Sequence, residues 1–327
     1  CYEAYKSKWT KKFFQLHRNE EELNRQFIEI YGLQDELTPD VPLEEITILQ
    51  EETGIENGEL VFYANKVMEQ FVSYAVGCMF GRYSLDKEGL ILANQGETLQ
   101  DYFDKIEKSE DEVSFIPDED NIIPVLDEEW FADDIVEKFN TFLKASFGEE
   151  NFHENLRFVE ESLGKDIRRY FTRDFYKDHI KRYKKRPIYW MFSSPKGYFN
   201  VLIYMHRYTQ DTVSRILNSY LREFIDKLER QRKHHEHIEV SGSTVEQNKA
   251  RKEIDKIDIM LNDCKEYEQE ILYPLATERV EIDLDDGVLV NYNKMGSAVA
   301  KVAGLNDKGA KKKVRKFDWI DTSEIRD

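Results

Sequence analysis

Ile188-Tyr-Trp-Met-Phe192, Ser193-Ser-Pro-Lys-Gly197 and Tyr198-Phe-Asn-Val-Leu-Ile-Tyr-Met-His206 follow one another in the chain and fix what the fold must contain. Two runs rich in aromatic and β-branched residues around a short Pro/Gly turn predict a β-hairpin over 188–206. Both runs are nearly continuously apolar, so both faces of the hairpin are expected to be covered. Immediately upstream, Lys165 to Arg186 is dense in Lys and Arg with Tyr170, Phe171, Phe175, Tyr176 and Tyr183 interleaved, a pattern expected to be helical. Immediately downstream, Val213, Ile216, Leu217, Tyr220, Leu221, Phe224 and Leu228 recur three and four apart. Ile254, Ile257, Leu261, Cys264 and Ile271 repeat the spacing beyond Val240-Ser-Gly-Ser-Thr244. An antiparallel helical hairpin follows, its first helix capped by Thr209 or Asp211.

Further out, residues 1–31 carry Phe13, Leu16, Leu23, Phe27, Ile30 and Tyr31 near the helical period, and Gly32 is placed to stop that helix. Pro39 and Pro42 make an extended connector. A nearly all-round apolar helix is predicted from Tyr63 to Phe80, where Ala75 and Gly77 leave room for a neighbour. Residues 96–129, acidic and interrupted by Pro117 and Pro124, read as loop. Trp130–Phe147 and Phe152–Leu163 read as amphipathic helices. After Val280, Glu281 to Val288 reads as a strand or turn, followed by a basic tail with Lys311, Lys312, Lys313, Arg315 and Lys316. The expected class is α+β and helix-dominated, in four parts. Residues 1–60 are an N-terminal helix and connector; 61–208 a mixed recognition region with the basic segment 165–186 and the β-hairpin 188–206; 209–280 the helical hairpin; 281–327 the C-terminal strand or turn and basic tail.

The 327 residues are 40% hydrophobic with only 15 Gly and 7 Pro, which excludes collagenous, low-complexity and wholly disordered chains. Nothing approaches the roughly 18 to 20 apolar residues needed to cross a bilayer, and no secretory leader pattern opens the chain. A cytoplasmic protein is expected, with no membrane partner. Three widely spaced cysteines suggest neither a disulfide framework nor a zinc site. The chain starts at Cys1 with helix already under way, as a piece of a longer polypeptide would. The formal net charge is −18, but it is blocked: residues 35–164 hold 33 acidic against 8 basic side chains, and 165–233 hold 18 basic against 7 acidic. Acidity overall disfavours nucleic acid, whereas binding follows the local field. The island at 165–186 is either a solvated helix face with core aromatics or a phosphate-binding surface.

Catalytic patterns are missing: no glycine-rich phosphate loop, no G-x-S-x-G and no H-E-x-x-H occur. His234-His-Glu-His237 could hold a metal but sits at the expected tip of a solvent-facing hairpin, so no metal site is expected. Carboxylate pairs such as Asp118 with Asp120 are expected by chance among 65 acidic residues, and no catalytic residue is assigned.

Asn19-Glu-Glu-Glu-Leu-Asn-Arg-Gln-Phe-Ile28, Ile30-Tyr-Gly-Leu-Gln-Asp-Glu-Leu-Thr-Pro39, Ser73-Tyr-Ala-Val-Gly-Cys-Met-Phe-Gly-Arg-Tyr-Ser84, Phe115-Ile-Pro-Asp-Glu-Asp-Asn121, Phe175-Tyr-Lys-Asp-His179, Arg186-Pro-Ile-Tyr-Trp190, Ile203-Tyr-Met-His-Arg-Tyr208 and Ile282-Asp-Leu-Asp-Asp-Gly-Val288 stand in this order. Together they resemble the C-terminal half of PglX-type adenine-specific DNA methyltransferases of bacterial phage-exclusion (BREX) systems and the related fused restriction-modification methylases, from about residue 10 to residue 292. The resemblance implies a target-recognition and C-terminal helical part of an N6-adenine methyltransferase. It also implies that S-adenosylmethionine and the Asn-Pro-Pro-Tyr motif lie upstream of residue 1, in the protein's own methyltransferase domain. No Asn-Pro-Pro occurs here, so no cofactor is expected on this chain and no methyl transfer from it alone.

An enzyme that flips a base out of duplex DNA must hold the flanking duplex in register, which Lys and Arg do through phosphates while polar side chains on rigid elements read base edges. Expected phosphate contacts are Arg168, Arg169, Arg173, Lys177, Lys181, Lys184, Lys185 and Arg186. Expected base or groove contacts are Ser194, Lys196, Tyr198 and Asn200 of the hairpin, together with Arg82. Arg82 could instead pair with a carboxylate, and Lys196 could be only a turn residue. The acidic stretch 35–164 cannot lie along DNA and is expected to face solvent or a protein, or to shield the basic surface. The alternative is a docking scaffold whose helical hairpin binds other defence-system proteins.

Overall fold

A computed structural model describes residues 1–326. The chain divides into two compact units, residues 1–71 with 162–164, and residues 72–161 with 165 onward.

In the first unit, α1 (Tyr2–Tyr31) ends where Gly32 takes the left-handed conformation at φ 67°. The connector returns along the helix, with His17 Nε2 on the carbonyl oxygen of Val41 at 2.7 Å and Asn24 Nδ2 on that of Pro39 at 3.3 Å. A second hairpin, β1 (Thr53–Glu56) and β2 (Glu59–Phe62), was not expected from the sequence. Its turn is Asn57-Gly58, both at positive φ, which matches the twist of the flanking strands. Then α2 (Ala64–Met79) begins, and the division between the units falls within it.

The second unit is built around a three-stranded antiparallel sheet. Its members are β3 (Ile123–Pro124), β4 (Tyr189–Ser193) and β5 (Asn200–Tyr204), in the order β3-β5-β4. Tyr189 stands opposite Tyr204 and Ser193 opposite Asn200, so the predicted hairpin forms; Tyr189 to Phe192 and Val201 to Tyr204 are all buried, covered on both faces as expected. The close approach expected at Gly77 is also present, because a Cβ there would overlap the Tyr83 ring and stand 3.3 Å from the Tyr189 hydroxyl.

Two expectations are corrected. Residues 96–129 are not all loop: α3 (Leu99–Ile106) forms behind a capping box of Thr98 and Asp101, a local device that outweighs the acidic composition, and β3 adds to the sheet. Neither Thr209 nor Asp211 caps the first long helix through its side chain. The backbone N–H of Thr209 donates to Thr212 Oγ1, and Asp211 instead pairs with Arg279 at 2.7 Å.

Between α3 and β4 run α4 (Ile135–Phe147), α5 (Phe152–Leu163), α6 (Ile167–Tyr170) and α7 (Tyr176–Arg182), the last two joined by a π turn at Phe171–Phe175. After β5, α8 (Thr212–Arg215) continues through a π turn into α9 (Arg222–Ser241), which packs antiparallel on α10 (Thr244–Glu266). The reversal is at Gly242-Ser243, and Ser243 with Glu246 forms a capping box. Then α11 (Tyr273–Glu278), α12 (Val288–Lys294) and α13 (Lys308–Val314) complete the chain. The tail is therefore more helical than expected: Val290 of α12 and Val314 of α13 make a small core with Ile325. The pair α9–α10 is held to the β4–β5 turn by Asp263, wholly buried, which accepts from Ser194 Oγ at 2.5 Å and from the Lys196 backbone N–H at 2.9 Å.

Candidate nucleic-acid interface

The basic segment is a helix from 167 to 182, started by Asp166, whose carboxylate accepts from the Arg169 backbone N–H at 2.8 Å. Ile167, Tyr170, Phe171, Phe175, Tyr176 and His179 are buried on one face. Arg169, Arg173, Lys177 and Lys181 recur every four residues on the other, all exposed, and none forms an ion pair among the described residues. At this spacing side chains stack one turn above another, so the four cations make a single row.

Past the helix the row is extended by an unusual backbone. Lys184 and Lys185 both sit at positive φ, 50° and 61°, although neither is Gly or Asn. The Lys185 N–H still closes the helix on the Ile180 carbonyl at 2.8 Å. Two successive lysines in this region cost on the order of 1 kcal/mol or more each, and the result is three adjacent exposed cations, Lys184, Lys185 and Arg186.

His179 fixes this helix to the sheet. Its Nε2 accepts from the backbone N–H of Ile188 and of Tyr189, both at 3.2 Å, so the ring proton lies on Nδ1. Burial, with the nearby charges of Arg182 and Arg82, pushes its pKa down to about 3 and keeps the ring neutral.

The remaining expected contacts are dispersed. Arg168 faces inward, donating from one guanidinium nitrogen to the Asp134 carboxylate at 2.6 Å and to the carbonyls of Leu126 and Glu128, both at 3.2 Å. Arg82 pairs with no carboxylate among the described residues: it donates to the Tyr204 hydroxyl at 2.9 Å and lies over the Tyr83 and Tyr204 rings, 5.6 and 5.9 Å from their centroids. Burial, and then the charge of Arg82, push the pKa of His206 down to about 4. In the hairpin turn the Ser194 hydroxyl is spent internally, donating to Asp263 and accepting from the Phe199 N–H. The Asn200 amide donates to the Gly197 carbonyl at 2.8 Å. Lys196 is exposed and Tyr198 half-buried. The turn and the Lys184–Arg186 cluster stand at opposite ends of β4, about 17 Å apart along a five-residue strand. The structure thus unites Arg169, Arg173, Lys177, Lys181, Lys184, Lys185 and Arg186, brings Arg82 beside His179 and Tyr183 at the end of that helix, and separates from them Arg168 and the turn residues.

A cleft of about 820 Å³ opens elsewhere in the same unit, with Glu97, Glu110, Glu119 and Asp120 on its walls beside Lys138, Arg207 and Arg215. Its carboxylates make it unlike a phosphate groove. No group of three or more His, Cys, Asp or Glu side chains among the described residues is placed to hold a metal ion, and His234 to His237 lie on α9 near its tip. No described helix is long and apolar enough to cross a membrane.

Comparison with known proteins gives the relation. The chain is 37% identical over 308 residues to the adenine-specific methyltransferase PglX of Lacticaseibacillus casei (strain Zhang), covering 89% of this chain and 24% of that protein. It is homologous to part of this methyltransferase group. The adenine-specific methyltransferase BrxX of Escherichia coli O9:H4 (strain HS) is 34% identical over 328 residues, covering 93% of this chain and 26% of that protein. No protein-family model matches the chain. The chain thus spans about a quarter of the length of its PglX and BrxX relatives.

Methyltransferases of this kind imply S-adenosylmethionine, and the residues present do not fit it. Among the described residues both sheets are small and antiparallel, without the parallel-strand crevice at which doubly wound folds bind a nucleoside cofactor, and the Asn-Pro-Pro-Tyr that the resemblance implies does not occur in the sequence. The helical row was legible in the sequence as charge density with aromatic interleaving. The left-handed pair at 184–185 was not, because no propensity marks lysine for that conformation.

Proposed function

We propose that this chain is the DNA target-recognition and C-terminal helical part of a PglX/BrxX-like N6-adenine methyltransferase acting in phage defence, with S-adenosylmethionine and methyl transfer assigned to the remaining three quarters of the polypeptide. The carrying observation is the row Arg169, Arg173, Lys177 and Lys181 on a helix whose other face is buried, continued past its end by Lys184, Lys185 and Arg186: seven exposed cations without ion pairs among the described residues. Cations that stabilise nothing internally, presented at one-turn intervals on a rigid element, suit a phosphate backbone. Base reading then belongs to parts of the interface that the row positions, with Lys196, Tyr198 and Arg82 the available side chains here.

The test is fluorescence anisotropy of the chain on a mixed-sequence duplex at low and physiological salt, beside a variant with Lys184, Lys185 and Arg186 changed to Glu. Salt-sensitive binding that the variant loses supports the reading. Absence of binding at low salt removes it and leaves the second reading, a docking scaffold, for which the long α9–α10 pair with exposed Val240 and Val245 at its tip is the specific observation.

A further inference from the structure

The basic tail is a motif of the sequence that the proposed interface leaves unused, and its position in the fold gives it a role. Residues 300–316 hold seven basic side chains against one acidic, Asp307. Lys301, Lys308, Lys312, Lys313 and Lys316 are exposed and form no ion pair among the described residues.

The path of the chain is set by β4. Val299 bridges Phe192 in antiparallel sense, and the Ala300 N–H donates to the Met191 carbonyl at 2.8 Å. Both contacts share one register, and carried outward that register brings residue 304 level with 187, beside the end of the basic helix. The side chains agree: the Lys185 ammonium lies 3.2 Å from where a Cβ on Gly304 would stand, and Gly304 is at φ +81°. A side chain at 304 would be both conformationally strained and crowded against that ammonium. The single acid of the segment is occupied by backbone, since Asp307 accepts from the N–H groups of Gly304 at 2.6 Å and Ala310 at 2.8 Å. These bonds, the one from Ala310 foremost, hold its carboxyl below the usual range, with Lys185 contributing least.

We propose that Lys301, Lys308, Lys312, Lys313 and Lys316 form a second arm of one phosphate-binding surface, joined to the basic helix at the Lys185–Gly304 contact and laid against the same DNA duplex. This rests on the reading of the basic helix as a DNA surface. The polyanion is DNA rather than an acidic protein because every exposed residue of 167–186 is Lys or Arg, and Ala303 is the single apolar side chain among the exposed residues of 300–316, so affinity would come from phosphates alone.

The test compares four proteins on a 30-base-pair duplex across salt concentrations: the unaltered chain; a tail variant with Lys308, Lys312, Lys313 and Lys316 changed to Gln; a helix variant with Arg169, Arg173, Lys177 and Lys181 changed to Gln; and a tail variant carrying Arg at the same four tail positions. The Gln tail variant is expected to bind about 10-fold or more weakly at low salt and to flatten the slope of log K against log salt by about 0.9 for each phosphate the tail neutralises, while the Arg version keeps both. Thermal melting checks that all four fold. If the helix variant weakens binding but the Gln tail variant matches the unaltered chain in affinity and slope, the second arm is wrong and the basic-helix reading stands. If the unaltered chain binds no duplex at low salt, both are wrong.

Discussion

Two charged regions of the same unit use their charges in opposite ways. Between Asp86 and Asp134 the carboxylates are largely consumed by the fold. Asp86 accepts from the Ser114 N–H and hydroxyl and from Lys108. Glu97 takes the N–H groups of Ala93 and Asn94 and the Lys105 ammonium; against its burial, these bonds bring its pKa down to about 2. Asp101 completes a capping box, and Asp134 caps α4 through the N–H groups of Val136 and Glu137. In the basic helix, by contrast, the row from Arg169 to Lys181 does nothing for its own protein. Net charge therefore misleads as a guide to function: an acidic stretch that organises its own backbone is structural, and a shorter basic stretch left unpaired is the surface offered to a partner.

The contrast is broken most directly by reversing the row. Arg169, Arg173, Lys177 and Lys181 changed together to Glu are expected to lower duplex affinity on the order of 1,000-fold at low salt while leaving the melting temperature within a few degrees. A large loss of stability instead would mean that the row is structural. The neighbouring Arg168 should behave in the reverse way. Arg168→Ala strands the Asp134 carboxylate, which is 1% exposed, and unties two carbonyls, so urea unfolding should show a loss of about 2–3 kcal/mol. Its duplex affinity, measured where it is folded, should stay within about twofold of the unaltered chain, because Arg168 is turned away from the row that meets phosphate. Adjacent arginines with opposite phenotypes would sharpen the division, and equal phenotypes would dissolve it.

That division also marks how far the sequence could be read. The β4–β5 hairpin, the α9–α10 reversal and the buried α2 were legible because apolar period and turn chemistry agree there. α3 was missed because the acidity of 96–129 and its Pro117 and Pro124 suggested loop, while Thr98 and Asp101, three apart, were the capping signal that outweighed them. β1–β2 was missed although Asn57-Gly58 is a strong hairpin signal, since the strands beside it are only four residues each. Within the site, the cationic row follows from spacing, but the inward turn of Arg168 depends on Asp134, 34 residues away, and no local pattern announces that pairing.

Asp120 is the acid that does not fit the structural role of its neighbours, and it offers the smallest test. Burial, and then the charge of Asp118, push its pKa up to about 6, although it accepts from the Ile122 N–H and from the Tyr220 hydroxyl, both at 3.0 Å. Facing it are Asp118, which is paired with Lys138 at 2.8 Å; Asp133, which shares the Tyr220 hydroxyl; and the Arg207 guanidinium, whose pKa burial lowers while Asp118 and Asp120 oppose the shift. A carboxyl whose folded pKa is raised holds its proton in the folded chain when the unfolded chain has already lost it. Its contribution to stability is therefore full below about pH 4 and is lost as pH rises towards 6. Asp120→Asn keeps an oxygen for Ile122 and removes the charge, so it should stabilise the protein by about 1–2 kcal/mol at pH 8, a figure reduced for partial solvent screening, with the gain vanishing near pH 4. Chemical denaturation at the two pH values checks this. A loss at pH 8 would show that Asp120 supports the fold as its neighbours do, and the acidic stretch would then be structural without exception.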